Sequence, residues 1–149
     1  MKECTTVNNA TLVLNEGTFD EAIQLQKVIF EEAKKLKIDI GELEIEQFGS
    51  VSSLLNCFKD LFLNLMTSKD FDTIIFKCLK HCTYNDIAVT KTLFEDVPDA
   101  RGDYYQIVKE CIEINLAPFM KSLTSQLSIL FPIPTQDTQE LNTQENNID

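Results

Sequence analysis

The sequence predicts a mostly α-helical fold: a single compact helical domain of about five helices, one short N-terminal β element and a disordered C-terminal tail. Apolar residues recur at helical spacing in several segments, and Ser or Thr residues stand where helix N-caps are expected. The chain has 149 residues, of which 44% are hydrophobic, which suits one core. The domain is expected to span residues 1–131 and the tail residues 132–149.

The N-terminal part predicts a strand followed by a helix. Residues 10–14 have the β-branched and apolar content of a short strand. Thr18 and Glu21 have the spacing of a capping box, which predicts a helix ending near Lys37. Residues 42–46 alternate with a period of two, so an edge strand beside residues 10–14 is an alternative to a loop there. The charged residues opposite the apolar stripe of the helix are expected to face solvent: Glu31, Glu32, Lys34 and Lys35.

The rest of the chain is dominated by helical patterns. Residues 51–65 carry a stripe with little charge, which predicts a central core helix. Ser68 is expected to cap a helix with a buried face formed by Phe71, Ile74, Ile75, Cys78, Leu79 and Cys82. A helical turn through Phe94 follows, and then a helix over 99–115 whose predicted apolar face consists of Tyr104, Ile107, Val108, Cys111, Ile112 and Leu116. Pro118 should kink or restart the chain before residues 119–130. After residue 131 the composition is too polar to offset the entropy of ordering.

The charge balance excludes some classes of partner. Thirteen basic residues against 24 acidic ones give a net charge of −11, which repels nucleic acids and anionic membranes. The excess lies in three segments, 39–46, 95–103 and 132–149, which are interpreted mainly as solvated connections and a tail. No signal peptide or membrane-spanning run is evident, so we expect a cytosolic protein with no nucleic-acid or membrane partner.

The residue types needed for catalysis or cofactor binding are scarce. His81 is the single histidine, and the four glycines are isolated, so neither a catalytic triad nor a phosphate-binding loop is predicted. Cys78, His81 and Cys82 could provide three zinc ligands, but both cysteines fall on an apolar stripe, which favours core thiols. We therefore expect no enzyme activity and no cofactor. Wide apolar stripes instead favour a protein-binding role, with core packing as the plainer alternative.

One segment resembles a known family. Residues 93–127 contain Ala100-Arg101, Asp103-Tyr104-Tyr105, Asn115-Leu116 and Pro118-Phe119. This pattern, together with residues 77–84 before it, is similar to the C-terminal half of tail assembly chaperones from long-tailed bacteriophages and prophages of Gram-positive hosts. The resemblance covers roughly residues 71–130.

The resemblance implies a non-catalytic protein that binds and solubilises the long, helical tape measure protein until the tail tube polymerises around it. It also implies self-association, contact with the tail tube protein, a location in the host cytoplasm and absence from the mature virion. The candidate partner-binding residues are Arg101, Tyr104, Tyr105, Phe119, Leu123 and Leu127. Structural roles are the alternative for residues that match the family pattern: an ion pair for Arg101, half-buried core for the tyrosines and a kink for Asn115 and Pro118.

An acidic inhibitor that mimics DNA charge is the alternative function. Such a protein needs carboxylates along one ordered face, whereas most of the excess charge here lies in the predicted connection and tail. Salt distinguishes the two functions, because an electrostatic complex weakens steeply as salt rises and a hydrophobic one does not.

Overall fold

A computed structural model of the chain describes residues 1–36 and 59–130. The predicted mostly α-helical fold with an N-terminal β element is confirmed, and the described part contains six helices and four short strands. They are β1 (Lys2–Thr5), β2 (Thr11–Leu14), α1 (Phe19–Lys35), α2 (Lys59–Thr67), α3 (Lys69–Leu79), β3 (Thr83–Tyr84), β4 (Ile87–Ala88), α4 (Lys91–Asp96), α5 (Pro98–Gly102) and α6 (Tyr104–Leu130). The predictions for residues 42–46, for residues 51–58 of the predicted core helix and for the tail 132–149 lie outside the described residues.

The strands form one antiparallel sheet in the order β1-β2-β3-β4. The predicted strand at residues 10–14 corresponds to β2, which pairs with β1 and, through Leu12 opposite Tyr84, with β3. The β3–β4 hairpin turns at Asn85 and Asp86, whose φ angles of 48° and 68° suit a two-residue type I′ turn. Strand β1, at Lys2–Thr5, was not predicted from the sequence.

Helix α1 begins as predicted, but its Glu21 side chain does not close the capping box. The Thr18 hydroxyl oxygen accepts a hydrogen bond from the Glu21 backbone N–H at 3.2 Å. The Glu21 carboxylate instead lies 3.0 Å from Nε2 of His81, at the end of α3. The start of α1 is therefore held both by a local cap and by a contact with the end of α3.

The expectation that Glu32 faces solvent is wrong. Its side chain accepts hydrogen bonds from Lys35 Nζ at 2.9 Å and Asn64 Nδ2 at 2.8 Å, and the residue is only 7% exposed. Helix α2 packs against α1 on this side and covers the carboxylate. The two hydrogen bonds replace the water that it loses.

The core lies where α1, α3 and α6 meet the sheet. The predicted buried face of α3 is confirmed, since every member of that stripe is buried, and Ser68 caps the helix by accepting from Phe71 N at 3.2 Å. The apolar side chains that α6 buries in the same core are Ile107, Val108, Cys111, Ile112, Leu116 and Met120.

The predicted helix over 99–115 is divided in two by Asp103. Asp103 has a φ of −90° and a ψ of 2° and lies between α5 and α6, where its carboxylate is held by residues distant in sequence. Helix α6, in turn, continues through Pro118, so the alternative of a restart there is wrong. Proline removes one backbone donor, and the hydrogen bonds on both sides keep the helix continuous.

No helix within residues 1–36 and 59–130 has the length and apolarity needed to span a membrane.

Candidate protein-binding site

A buried polar junction fixes the start of α6 against the sheet. The carboxylate of Asp103, which is 1% exposed, accepts hydrogen bonds from the Tyr84 hydroxyl at 2.7 Å and from Asn8 Nδ2 at 3.0 Å. Burial, followed by the hydrogen bond to Asp103, raises the pKa of Tyr84 to about 12. Asn8 belongs to the connection between β1 and β2, so the junction holds that connection beside α6.

The preceding residue of this connection, Val7, is held directly by α6. The Val7 backbone N–H donates to Gln106 Oε1 at 3.0 Å, and the Lys2 ammonium group lies 2.7 Å from the Glu110 carboxylate. These two contacts tie β1 and the residues after it to the first turns of α6. The Val7 side chain itself remains 82% exposed.

An apolar groove of about 730 Å³ lies between this connection, α2 and α6. Three of its apolar side chains are largely exposed: Val7, Leu63 at 63% and Tyr105 at 61%. The rings of Phe62 and Tyr105 meet nearly edge-on, with centroids 6.2 Å apart. We call this feature the apolar groove, and its lining consists of Val7, Lys59, Phe62, Leu63, Tyr105, Gln106, Lys109 and Glu110.

A second groove, of about 460 Å³, lies on the other side of Tyr105. Aromatic rings from α3, α4 and α6 form its wall in edge contacts, with centroid distances of 6.2 Å for Phe76 to Phe94 and 5.1 Å for Phe94 to Tyr104. Burial, then the nearby Asp72 charge, raises the pKa of Tyr104. We call this feature the aromatic groove, and its lining consists of Asp72, Phe76, Lys91, Phe94, Glu95, Arg101, Tyr104 and Tyr105.

The structure brings together three of the predicted partner-binding residues. Arg101, Tyr104 and Tyr105 all line the aromatic groove, and Tyr105 lines the apolar groove as well. Tyr104 is half-buried, as its structural alternative proposed, whereas Tyr105 is largely exposed. The Arg101 guanidinium Nε donates to the Phe94 carbonyl oxygen at 2.9 Å, so it links α5 to α4.

The other predicted residues lie elsewhere on α6. Phe119 is 14 positions after Tyr105, about 21 Å along a helix, and its ring lies 6.1 Å from that of Phe19. Phe19 is 68% exposed. Leu123 is half-buried against the core, and the side chain of Leu127 is outside the described part of the chain. The predicted set therefore divides between two surfaces.

Asn115, which belongs to the resembling pattern, has a packing role. Its Oδ1 accepts from the Gly17 backbone N–H at 2.8 Å, and its Nδ2 donates to the Cys111 carbonyl oxygen at 2.8 Å. The residue is 1% exposed. Asn115 thus fastens the connection before α1 to α6.

The prediction of core thiols is confirmed for Cys78, Cys82 and Cys111, which are fully buried. Burial raises the pKa of the Cys78 thiol to about 12, whereas a hydrogen bond with Cys111 lowers the pKa of the Cys82 thiol. His81 lies beside them in sequence, but its ring contacts Glu21. Among residues 1–36 and 59–130, no group of three or more His, Cys, Asp and Glu residues could hold a metal ion.

Sequence reasoning missed Val7 and Leu63 as candidate surface residues. The stripe predicted at 51–65 includes Leu61, Phe62 and Leu65 but not Leu63, and this offset was a usable signal. Val7 stands alone in a polar segment, and its relation to α6 depends on contacts across 99 residues. No local pattern could have placed it there.

The comparison with protein families agrees with the resemblance noted in the sequence. The family model described as phage tail assembly chaperone protein, TAC, matches residues 11–128, from β2 to near the end of α6. The comparisons with curated proteins and with solved structures give no match. The family match covers well over half of the chain and includes the α2, α3, α4, α5 and α6 segments that form most of both grooves. The chain therefore belongs to the phage tail assembly chaperone family.

Proposed function

We propose that this protein binds the tape measure protein and keeps it soluble during tail assembly, and that the apolar groove is the main binding surface. Membership of the tail assembly chaperone family implies protein partners in that process. The observation that carries the proposal is the exposure of Val7, Leu63 and Tyr105 around one groove. Contiguous exposed apolar surface of this kind is typical of protein-interaction sites.

The shape of the two grooves supports a long partner. Tyr105 separates them, so one partner segment could cross its ring and contact both linings. The apolar groove offers aliphatic and aromatic contacts, and the aromatic groove adds rings bordered by Arg101 and Lys91. A helix that lays its apolar face into such a surface is a recurrent mode of peptide recognition.

The proposal is tested by expressing the tape measure protein with this chain and measuring how much of it stays in the soluble fraction and co-elutes in gel filtration. The Leu63→Ser/Tyr105→Ser variant should lose most of this effect. Both side chains are largely exposed, so the fold should be retained. Ile87→Ser is the matched control, because Ile87 is 52% exposed and lines neither groove. A groove variant as effective as the parent chain would contradict the assigned surface.

The Phe19 and Phe119 pair is tested in the same assay as a second surface. Phe119, Leu123 and Leu127 were predicted as partner-binding residues, and the exposed Phe19 ring extends the surface at Phe119. If Phe19→Ser abolishes client solubility while Leu63→Ser/Tyr105→Ser does not, this end of α6 is the binding surface instead. We expect the opposite result, because the apolar groove exposes more apolar side chains.

The remaining proposals concern other partners and location. We propose self-association of the chain along its client, contact with the tail tube protein, and action in the host cytoplasm with absence from the finished virion. Crosslinking during assembly should capture both kinds of partner. Immunoblotting of purified virions should give no signal for this chain, and a signal would contradict the proposed release.

The charge of the grooves gives no support to the DNA-mimic alternative. Lys59 and Lys109 line the apolar groove, and Lys91 and Arg101 stand beside the aromatic one. Retention of the tape measure protein through a high-salt wash would favour the chaperone function, whereas loss of a basic DNA-binding partner at high salt would favour mimicry.

A further inference from the structure

The charge at the rim of the apolar groove is opposite in sign to the net charge of the protein. The chain carries a net charge of −11, yet two of the three charged residues that line this groove are Lys59 and Lys109. The third, Glu110, has its carboxylate 2.7 Å from Lys2 Nζ and is therefore already paired. Within the described residues, no carboxylate lies within ion-pair distance of Lys59 or Lys109.

The polar groups of the groove wall also limit the kind of partner backbone that fits. The described lining residues belong to α2, α6 and the connection after β1, and none of them belongs to a strand. The Gln106 Oε1 atom accepts from Val7 N and is thus occupied. A partner in the groove gains few backbone hydrogen bonds, so its own backbone must be satisfied internally, as it is in a helix.

We infer that the apolar groove selects amphipathic helices in which acidic side chains flank the apolar ridge. This inference deepens the proposed function and rests on it, since the helix would belong to the tape measure protein. The ridge packs on Leu63, Phe62 and Tyr105, and the flanking carboxylates reach Lys59 and Lys109. Because the Debye length is about 8 Å at physiological salt, these two ammonium groups act mainly on charges close to them, such as the carboxylates that flank the ridge.

The expected size of the preference for acid-flanked helices follows from the solvent exposure of the two ion pairs that they would form with Lys59 and Lys109. Exposed ion pairs are weak, so two of them should favour an acid-flanked helix over a lysine-flanked one by roughly threefold to tenfold in Kd. This preference should shrink as salt rises, whereas the contribution of the apolar ridge should persist.

The test uses the full chain and two labelled synthetic helical peptides with the same leucine ridge, one flanked by Glu and the other by Lys, with binding followed by fluorescence anisotropy. The parent chain should prefer the Glu peptide. Lys59→Gln/Lys109→Gln should remove the preference, and Lys59→Glu/Lys109→Glu should invert it. Lys27→Glu/Lys77→Glu is the matched control, because it changes the net charge equally at exposed positions outside the groove.

The outcomes separate this inference from the proposed function. Equal binding of the two peptides, tighter binding of the Lys peptide, or an inversion by the control variant would overturn the charge selectivity. Solubilisation of the tape measure protein without any peptide preference would leave the proposed function standing. If the Glu peptide binds and its binding depends on Tyr105, but the tape measure protein does not bind, the charge selectivity is supported. The proposal that the tape measure protein is the client is then contradicted.

Discussion

Replacing Tyr84 by Phe tests the buried junction that positions the start of α6. The substitution removes a hydroxyl that donates to the Asp103 carboxylate at 2.7 Å and leaves the ring in its buried site. Hydrogen bonds to charged groups contribute about 1.5–3 kcal/mol, so Tyr84→Phe should lower the free energy of unfolding by about 2 kcal/mol at pH 8. Urea unfolding followed by far-ultraviolet circular dichroism measures this difference.

The pH dependence of the same difference gives a second check. The folded-state pKa of Tyr84 is about 12, above the value of roughly 10 expected in the unfolded chain. Folding therefore favours the protonated phenol, and this contribution is complete below pH 10 and is lost as the pH rises through 12. A shift of this size corresponds to about 3 kcal/mol, so the advantage of the parent chain should shrink markedly as the pH rises from 10 to 12.

The difference in stability between the parent chain and the Tyr84→Phe variant isolates the contribution of the Tyr84 hydroxyl. Tyr104 and Tyr105 are present in both, so their ionisation cancels in the difference. A Tyr84→Phe variant as stable as the parent at pH 8, or a stability gap that widens between pH 10 and pH 12, would refute the assignment of the hydroxyl as a donor to Asp103.

Substitutions of Glu32, Asn115 and Pro118 test the packing of α1 and α6. Glu32→Ala should lower the free energy of unfolding by about 1–2 kcal/mol, because it leaves Asn64 Nδ2 without its acceptor. Glu31→Ala, at the exposed neighbouring position, should change the free energy of unfolding by less than about 0.5 kcal/mol. Urea unfolding of both variants measures the two differences. Asn115→Ala should cost about 2 kcal/mol, since the Gly17 N–H loses its acceptor. Asn115→Asp should recover none of this loss in the same assay, because it buries a charge and sets a carboxylate oxygen against the Cys111 carbonyl oxygen. Pro118→Ala should raise the thermal unfolding midpoint, because it restores a backbone donor inside α6 at an exposed position, and a lower midpoint would show that the ring is needed for packing.

Features set by short-range chemistry could be predicted from the sequence. The Thr18 and Ser68 caps lie three residues before the amides that they bind, and the buried face of α3 follows a regular helical stripe. The same regularity placed Ile107, Val108 and Cys111 in the core.

Features set by distant contacts could not be predicted in this way. Asp103 looks like one more acid in a charged segment, and only Asn8 and Tyr84, 95 and 19 residues away, make it a buried junction. Glu32 looks solvent-facing until α2 covers it. The two strands of the β3–β4 hairpin have two residues each, too few to show a period.

The residues of the candidate site also divide into those that could be predicted from the sequence and those that could not. Tyr104, Tyr105 and Arg101 could be selected because they stand in a recognisable string, and all three line the aromatic groove. The apolar groove is formed by side chains from three separate segments of the chain. Leu63 and Val7 can be identified as groove residues only when the positions of those segments in the fold are known. The family match at residues 11–128 does not include Val7.

The tie between β1 and α6 has a consequence for the order of events during translation. Lys2 and Glu110 are separated by 108 residues, and Val7 and Gln106 by 99, so these contacts close long loops and form late. On the ribosome, these two contacts must wait until the first turns of α6 have emerged from the exit tunnel. The apolar groove is complete only when most of the chain has been synthesised, so a nascent chain does not yet present the proposed binding surface.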